Sequence, residues 1–395
     1  MSDAPWITIV GLGEDGPAGL SPASQDALAN AEIIMGPKRH LALLDAYHGE
    51  QIAWPVPFAD GIEILQKLKP RNVVVLASGD PFWFGAGSTL SRHFGAGEIR
   101  VLPTPSVFSW AAAQMGWPLE RTICLGLHAA PFERLRPHLA PGQNLIVTLR
   151  DGEAVLDLAR YLARIDFAAS DLTVLEALGG PRQRITRGTA KDLTGPFQHP
   201  VTVAIAPSGP ALPKTSGLPD DVFTTDGVMT KRPLRALTLS TLAPRPGAHL
   251  WDIGGGSGSI AIEWLLAHPT CTATTIEPRA DRVALITANA QALGQDRLEV
   301  LKGTAPETLA TLPAPDVVFI GGGITQAMLD HLYSLPKGTR MVANAVTLEA
   351  EALLTQAQAQ KGGDLMRIEI SHAKPMGSKR AWAANYPVVQ WSVTL

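Results

Sequence analysis

His249-Leu250-Trp251-Asp252-Ile253-Gly254-Gly255-Gly256-Ser257-Gly258-Ser259-Ile260-Ala261-Ile262-Glu263 is the stretch on which the reading of this chain turns. It reads as a buried strand ending at Asp252, a turn of three consecutive glycines plus a fourth, and then an amphipathic helix. Glycine is needed where the backbone takes positive φ or lies against a ligand with no Cβ in the way. The first N–H groups of the helix point at whatever such a turn holds. The turn therefore reads as a cradle for an adenosine-type ligand. Its glycines alternate behind an acid, as Asp-x-Gly-x-Gly-x-Gly, unlike the dinucleotide pattern Gly-x-Gly-x-x-Gly. Taken alone, the glycines also suit a tight βα turn in any α/β protein.

The next segments favour a ligand. Thr272 to Ile276 reads as a strand ending in Glu277, about 20 residues past the glycines, where an acid can accept both ribose hydroxyls. That spacing suits NAD as well as S-adenosylmethionine. A third strand, Leu298 to Leu301, precedes Gly303-Thr304-Ala305-Pro306-Glu307, and Pro315 to Gly323 supplies a fourth. Successive strands opening on one edge build the crevice at the carboxyl ends of a parallel sheet.

The chain of 395 residues has room for two or three domains. A hydrophobic content of 46% with 17% charged residues is that of a globular protein, neither disordered nor membrane-spanning. A net charge of −3 argues against a non-specific grip on nucleic acid, while leaving room for a local basic pocket. The two cysteines, Cys124 and Cys271, and the ten histidines show no metal-ligand spacing. Met1 to Pro5 lacks the basic and apolar regions of a signal peptide, and no apolar run reaches the length of a membrane span. A cytoplasmic protein without a metal is expected.

Before the glycine turn, Trp6 to Val10 reads as a strand closed by Gly11-Leu12-Gly13. Ser21-Pro22 starts a helix as N-cap and first helical residue. Val73 to Ala77 is a continuous apolar strand of the kind covered on both faces. It runs into Ser78-Gly79-Asp80-Pro81-Phe82-Trp83-Phe84-Gly85, which by itself reads as an ordinary turn. Pro103-Thr104-Pro105-Ser106 leads into a helix from Val107 to Met115. Strands then fall at Ile123 to Leu127, Leu145 to Leu149, Leu172 to Leu175 and Val201 to Ile205, giving αβ structure with a bilobal split near residue 115. The Pro- and Gly-rich segment 207–220 has hardly any apolar anchor and reads as a linker between domains at 1–206 and 221–395. Beyond it a helix from Thr230 to Thr241 precedes the glycine turn. Alternation of strand and helix is then expected to the C-terminus, as in a doubly wound sheet.

The remaining candidates are weaker. His128 reads as packed or solvated. Gly254 to Gly258 lacks the register of a nucleophile elbow. Asn385-Tyr386-Pro387 faintly resembles the Asn-Pro-Pro-Tyr of adenine methyltransferases, but it follows the last helix instead of the fourth strand. Basic clusters fall at Lys231, Arg232 and Arg235, at Arg182, Arg184 and Arg187, and at Lys374, Lys379 and Arg380. Each reads equally well as a solvated face. The last of them contains Pro375 and Gly377 and reads as a loop.

Asp252 to Ser259 resembles motif I of the Rossmann-like methyltransferases. Gly11 to Gly16 with Ala18 to Pro22, Ser78 to Gly85, and Pro105 to Ser109 resemble the tetrapyrrole (class III) methylases, closest to the C5-methylating branch. Thr225 to Lys231, the glycine turn and Ala305-Pro306-Glu307 resemble the decarboxylating C15-methyltransferases. Fusion in this order, over essentially the whole chain, is similar to the bifunctional precorrin-6Y C5,15-methyltransferases of cobalamin synthesis. Where class III methylases often read Gly-Pro-Gly-Asp-Pro after the first strand, this chain has Glu14-Asp15-Gly16.

The resemblance implies a bilobal tetrapyrrole-methylase domain followed by a doubly wound methyltransferase domain, with two S-adenosylmethionine sites of unrelated design. By matching position, Thr230, Gly254, Gly255, Gly256, Ser257, Gly258, Glu277 and Ala305 hold the C-terminal cofactor. Gly79, Asp80 and Ser106 stand at the N-terminal one, and no catalytic acid or base is assigned. The implied reaction is methylation at C5 and C15 with loss of the C12 acetate carboxyl. The implied partners are a precorrin-6Y-type tetrapyrrole and further copies of the chain in a homo-oligomer, with no nucleic acid and no membrane. An NAD-linked dehydrogenase is disfavoured by the glycine pattern. A non-catalytic corrinoid or nucleotide carrier is disfavoured by two complete crevices.

Overall fold

The computed structural model describes residues 5–44, 47 and 50–395; of Met1 to Pro5, only Pro5 lies among them. The protein divides into two compact units. The first runs to Phe132 and resumes over His138–Ala211, and the second comprises Glu133–Pro137 and Leu212–Leu395.

The first unit contains two five-stranded sheets. One is built from β1 (Ile7–Leu12), β2 (Ile33–Gly36), β3 (Glu50–Ala53), β4 (Val73–Ser78) and β5 (Ile99–Leu102), in the order β3-β2-β4-β1-β5. Every pairing in it is parallel. The central strands are apolar along their length because both faces are covered. Ile7, Ile9, Met35 and Val75 pack on one side, and Val10, Ile34, Val74 and Leu76 on the other. The other sheet holds β6 (Ile123–Gly126), β7 (Leu145–Thr148), β8 (Asp171–Glu176), β9 (Arg184–Thr189) and β10 (Val201–Ala206), in the order β6-β7-β10-β8-β9. Only its β6–β7 pair is parallel. The helix Val107–Met115 lies between the sheets in sequence, with Ser106 as its N-cap and Gly116, at φ +66°, as its C-cap.

The second unit is built on β11 (His249–Ile253), β12 (Thr272–Glu277), β13 (Glu299–Lys302), β14 (Val317–Ile320), β15 (Arg340–Ala345), β16 (Asp364–Ile368), β17 (Ser371–Met376), β18 (Lys379–Ala384) and β19 (Val388–Thr394). Seven of these form one sheet in the order β13-β12-β11-β14-β15-β19-β16. β13 to β15 run parallel in it, while β19 lies antiparallel to both β15 and β16. The strand order reverses at β11, which is the topological switch point where ligands of open α/β sheets bind. Among the described residues no helix is long and apolar enough to cross a membrane.

Two sequence expectations need correction. Strand and helix do not alternate to the end, since four strands follow the helix Leu348–Lys361 without interruption. Lys374 to Arg380 is not a loop but most of the β17–β18 hairpin, which turns at Gly377 with φ +60°. The segment 207–220 also carries more anchor than its composition suggests. Leu212 and Leu218 are buried in the core of the second unit, Leu218 to 2% exposure.

Candidate functional site

The glycine turn leaves β11 as expected. Gly254, Gly256 and Gly258 all take positive φ, near +77°, +59° and +77°. A Cβ on Gly255 would stand 2.2 Å from Thr275 Cγ2, so the turn is pressed against β12. Gly258 caps the helix Ser259–Ala267. Gly254, Gly255, Gly256, Ser257 and Thr230 line a cavity of about 1040 Å³ at the carboxyl ends of β11 and β14. Gly258, Glu277 and Ala305 are not in its wall. Gly258 donates its N–H to the Gly255 carbonyl at 2.8 Å, and Ala305 packs against the apolar core. Glu277, 2% exposed, stands behind the turn. Its Oε2 accepts from the Gly256 N–H and its Oε1 from the Arg279 N–H, each at 3.1 Å.

Asp252 lines the same cavity and is 1% exposed, and neither carboxylate oxygen makes a hydrogen bond of normal geometry, although the Ala261 N–H and the Thr275 hydroxyl are close enough to favour its charge. Burial, with the Glu277 charge adding to it, raises its pKa to about 7. The Ser257 hydroxyl is likewise buried without a partner. A glycine cradle that admits no Cβ, edged by buried polar atoms that lack partners, is a fit for a polar nucleoside ligand such as S-adenosylmethionine.

The wall facing the turn in sequence, Gly227 to Lys231, is held by a buried strap. Arg235 is fully buried, and its Nε lies 2.5 Å from Glu263 Oε1. Nη1 reaches the Thr230 carbonyl at 2.5 Å and Asp220 at 3.1 Å. Glu263 also accepts from the Gly217 and Leu218 N–H groups. Asn289 clamps Thr224 through both ends of its amide and donates to the Ser257 carbonyl. Arg235, read from sequence as part of a basic cluster, is thus a structural cation.

Sequence reasoning missed the far side of this cavity. Asn344, Val346, Ile368, Ile370 and Asn385 to Val388 line it. Asn385-Tyr386-Pro387 reaches it because β19 returns beside β15, next to the parallel strands. No local signal announces that neighbour. Asn344 could have been found as the polar residue near the end of a buried strand. Its amide donates to Thr238 Oγ1 and accepts from Gln390 Nε2. Lys374, Lys379 and Arg380 are exposed on the hairpin.

The first unit encloses a second cavity, of about 450 Å³, lined from both of its sheets. Gly79 and Ser106 lie in its wall. Gly79 takes φ +54°, and a Cβ there would meet Ser106 Cα at 2.9 Å. Ser106 Oγ accepts from the Ser109 N–H at 3.2 Å. Asp80 is not in the wall; its Oδ1 accepts from the Phe82 N–H and fixes the turn. Trp83 and Phe84 pack on Phe108 to form an aromatic side. His128 also lines this cavity, with Arg39, His40 and His199, which sequence reasoning had not singled out.

A tetrapyrrole-methylase type of unit joined to a Rossmann-like methyltransferase unit makes this a two-domain methyltransferase, of the kind that uses S-adenosylmethionine. Family models match in that order: tetrapyrrole (corrin/porphyrin) methylases over residues 7–194, and a precorrin methyltransferase domain over 221–395. The precorrin-6Y C(5,15)-methyltransferase [decarboxylating] of Sinorhizobium sp is 45% identical over 99% of this chain and 97% of its own. Its counterpart in Mycobacterium tuberculosis (strain CDC 1551 / Oshkosh) is 41% identical over 98% and 99%. The crystal structure of the C-terminal domain of precorrin-6Y C5,15-methyltransferase from Rhodobacter capsulatus is 53% identical, covering 47% of this chain and 100% of that one, with a TM-score of 0.45. The chain belongs to the precorrin-6Y C5,15-methyltransferase (decarboxylating) family.

Proposed function

We propose that this chain methylates precorrin-6Y at C5 and C15 and removes the carboxyl of the C12 acetate arm, with the two chemistries divided between its units. The observation that carries this reading is the presence of two separate glycine-walled cavities in units of different topology. The domain over 1–206, which makes up most of the first unit, is assigned C5 methylation. The second, over 221–395, is assigned C15 methylation with decarboxylation. S-adenosylmethionine supplies a methyl group already activated by the sulfonium charge.

In the second unit, Thr230 and Gly254 to Ser257, which line the cavity, are assigned to direct contact with the cofactor, and Gly258, Glu277 and Ala305, which stand outside its wall, to holding the site in shape. In the first, Gly79 and Ser106 are assigned to the cofactor, and Asp80 to fixing the turn that carries Gly79. With the methyl group activated in advance, the chain's own task is alignment, which can contribute several kcal/mol. A carboxylate loses CO2 most readily where nothing stabilises its charge. The apolar wall formed by Phe319, Val346, Ile368, Ile370 and Val388 provides that setting. Lys231, at the edge of the same cavity, is placed to hold a different carboxylate arm. The expected setting is a homo-oligomer in the cytoplasm.

Calorimetry with S-adenosylhomocysteine tests the site count, with two sites per chain expected and one refuting it. The mass of the product from precorrin-6Y tests the chemistry: two methyl gains and one CO2 loss.

A further inference from the structure

The N-terminal cavity contains a polar side chain that the proposed chemistry does not use. His40 lies on the short helix Lys38–Leu41, is 1% exposed and lines the cavity. Its Nε2 stands 2.8 Å from an Arg39 Nη and 3.2 Å from Ser78 Oγ. A guanidinium has N–H donors and no acceptor, so Nε2 accepts in that contact and the ring proton sits on Nδ1. Burial first, then the charges of Arg39 and His199, pushes the imidazole down to about pKa 3, so the ring is neutral at pH 7. Nδ1–H is therefore a fixed donor. It is buried and has no partner among the described residues. Leaving such a donor unsatisfied is costly, and a ligand that accepts from it recovers the cost.

The surrounding charge selects the ligand. Arg39 pairs with Glu14, and Arg182 lies 3.1 Å from the same carboxylate. Arg39 and Glu14 line the cavity, and Arg182, outside its wall, adds a second guanidinium to the same carboxylate, so the Arg39–Glu14 corner carries positive charge in excess. Such a corner takes an anionic oxygen.

We propose that His40 Nδ1–H and Arg39 form a carboxylate seat in the N-terminal cavity. The inference rests on the reading of this cavity as the C5 site. Both molecules assigned to that site carry carboxylates: the arms of the tetrapyrrole and the methionine end of the methyl donor.

The test uses the full chain with His40→Leu, which removes the donor, and His40→Asn, which keeps an amide N–H near the Nδ1 position. If the seat takes a substrate arm, His40→Leu raises KM for the tetrapyrrole in C5 methylation at least tenfold. S-adenosylhomocysteine affinity then stays unchanged, and His40→Asn recovers most of the loss. If it takes the methionine carboxylate, S-adenosylhomocysteine affinity at one site falls tenfold instead. Unchanged KM and affinity in folded His40→Leu would overturn the seat alone. Full C5 methylation by a Gly79→Val chain would overturn the underlying reading and the seat with it. Should the His40 variants not fold, 15N-histidine spectra of the wild type decide. One neutral ring protonated at Nδ1 from pH 5 to 8, with its N–H moving downfield on addition of either ligand, is expected. Its absence among the ten histidines overturns the proposal.

Discussion

Arg235 and Glu263 form an ion pair inside the second unit, with side-chain exposures of 0% and 3% and 2.5 Å between Nε and Oε1. The pair joins the helix that follows the glycine turn to the segment that carries Thr230. It therefore ties two walls of the large cavity to each other.

Removing Glu263 leaves the buried Arg235 with only the more exposed Asp220 as a counter-charge, so Glu263→Leu should cost up to about 3–5 kcal/mol of stability. Denaturant midpoints give the value. S-adenosylhomocysteine binding by the second unit should weaken with it, because the Thr230 segment loses its anchor. Replacing both partners with apolar residues should cost less than Glu263→Leu alone. A double variant as unstable as the single one would mean that the hydrogen bonds of Glu263 to Gly217 and Leu218 matter more than the charge pair.

Glu277→Ala should weaken cofactor binding in the second unit by roughly 1.5–3 kcal/mol, the range for hydrogen bonds to a charged group. The first site should be unaffected. Calorimetry resolving two sites checks both halves of this expectation, and unchanged affinity at the second would show that Glu277 only braces the Gly256 N–H.

Asp252 should give the unliganded protein a distinctive pH dependence. Its folded pKa, about 7, lies above its ordinary value of 3.8. Between those values the unfolded chain releases this proton while the folded one keeps it, so this group's contribution falls as pH rises. Asp252→Asn removes that loss. Relative to wild type, its urea midpoint should therefore climb from pH 4 to pH 7.5. A constant difference across that range would show that the carboxyl titrates normally.

Separating the units calls for a cut that respects Leu212 and Leu218. Cleavage within 207–211 leaves both with the second unit, parts it only from Glu133–Pro137, and should give two folded fragments. The C-terminal one should decarboxylate and methylate C15, and the N-terminal one should only methylate C5. Product masses test this, and CO2 loss by the N-terminal fragment would sink the division. A cut after Leu218 should instead destabilise the C-terminal fragment, because it removes the N–H groups that Glu263 accepts from.

Much of this was legible in local sequence, for a physical reason in each case. The glycine turn and Glu277 stand out because backbone strain and strand spacing leave marks at fixed positions. The apolar strands β1, β4, β11 and β14 stand out because both of their faces are covered. What stayed hidden depends on distant partners. Arg235 looks like a surface cation until Glu263, 28 positions on, is placed beside it. Strand β17 is exposed along its whole length, so no alternation of apolar residues marks it. His40 gains its meaning only from Arg39 and Ser78, the latter 38 residues away.

The placement of β19 has a consequence for synthesis. Val388–Thr394 is the last strand in the chain but an interior one in its sheet, flanked by β15 and β16. A ribosome delivers that strand after every neighbour it must join, so β16 waits without the one strand it pairs with among the described residues until translation has passed it. The strands of the first unit have all been made by residue 206. Late in synthesis the nascent chain thus has one half able to close and the other still holding a gap for a single ribbon of seven residues.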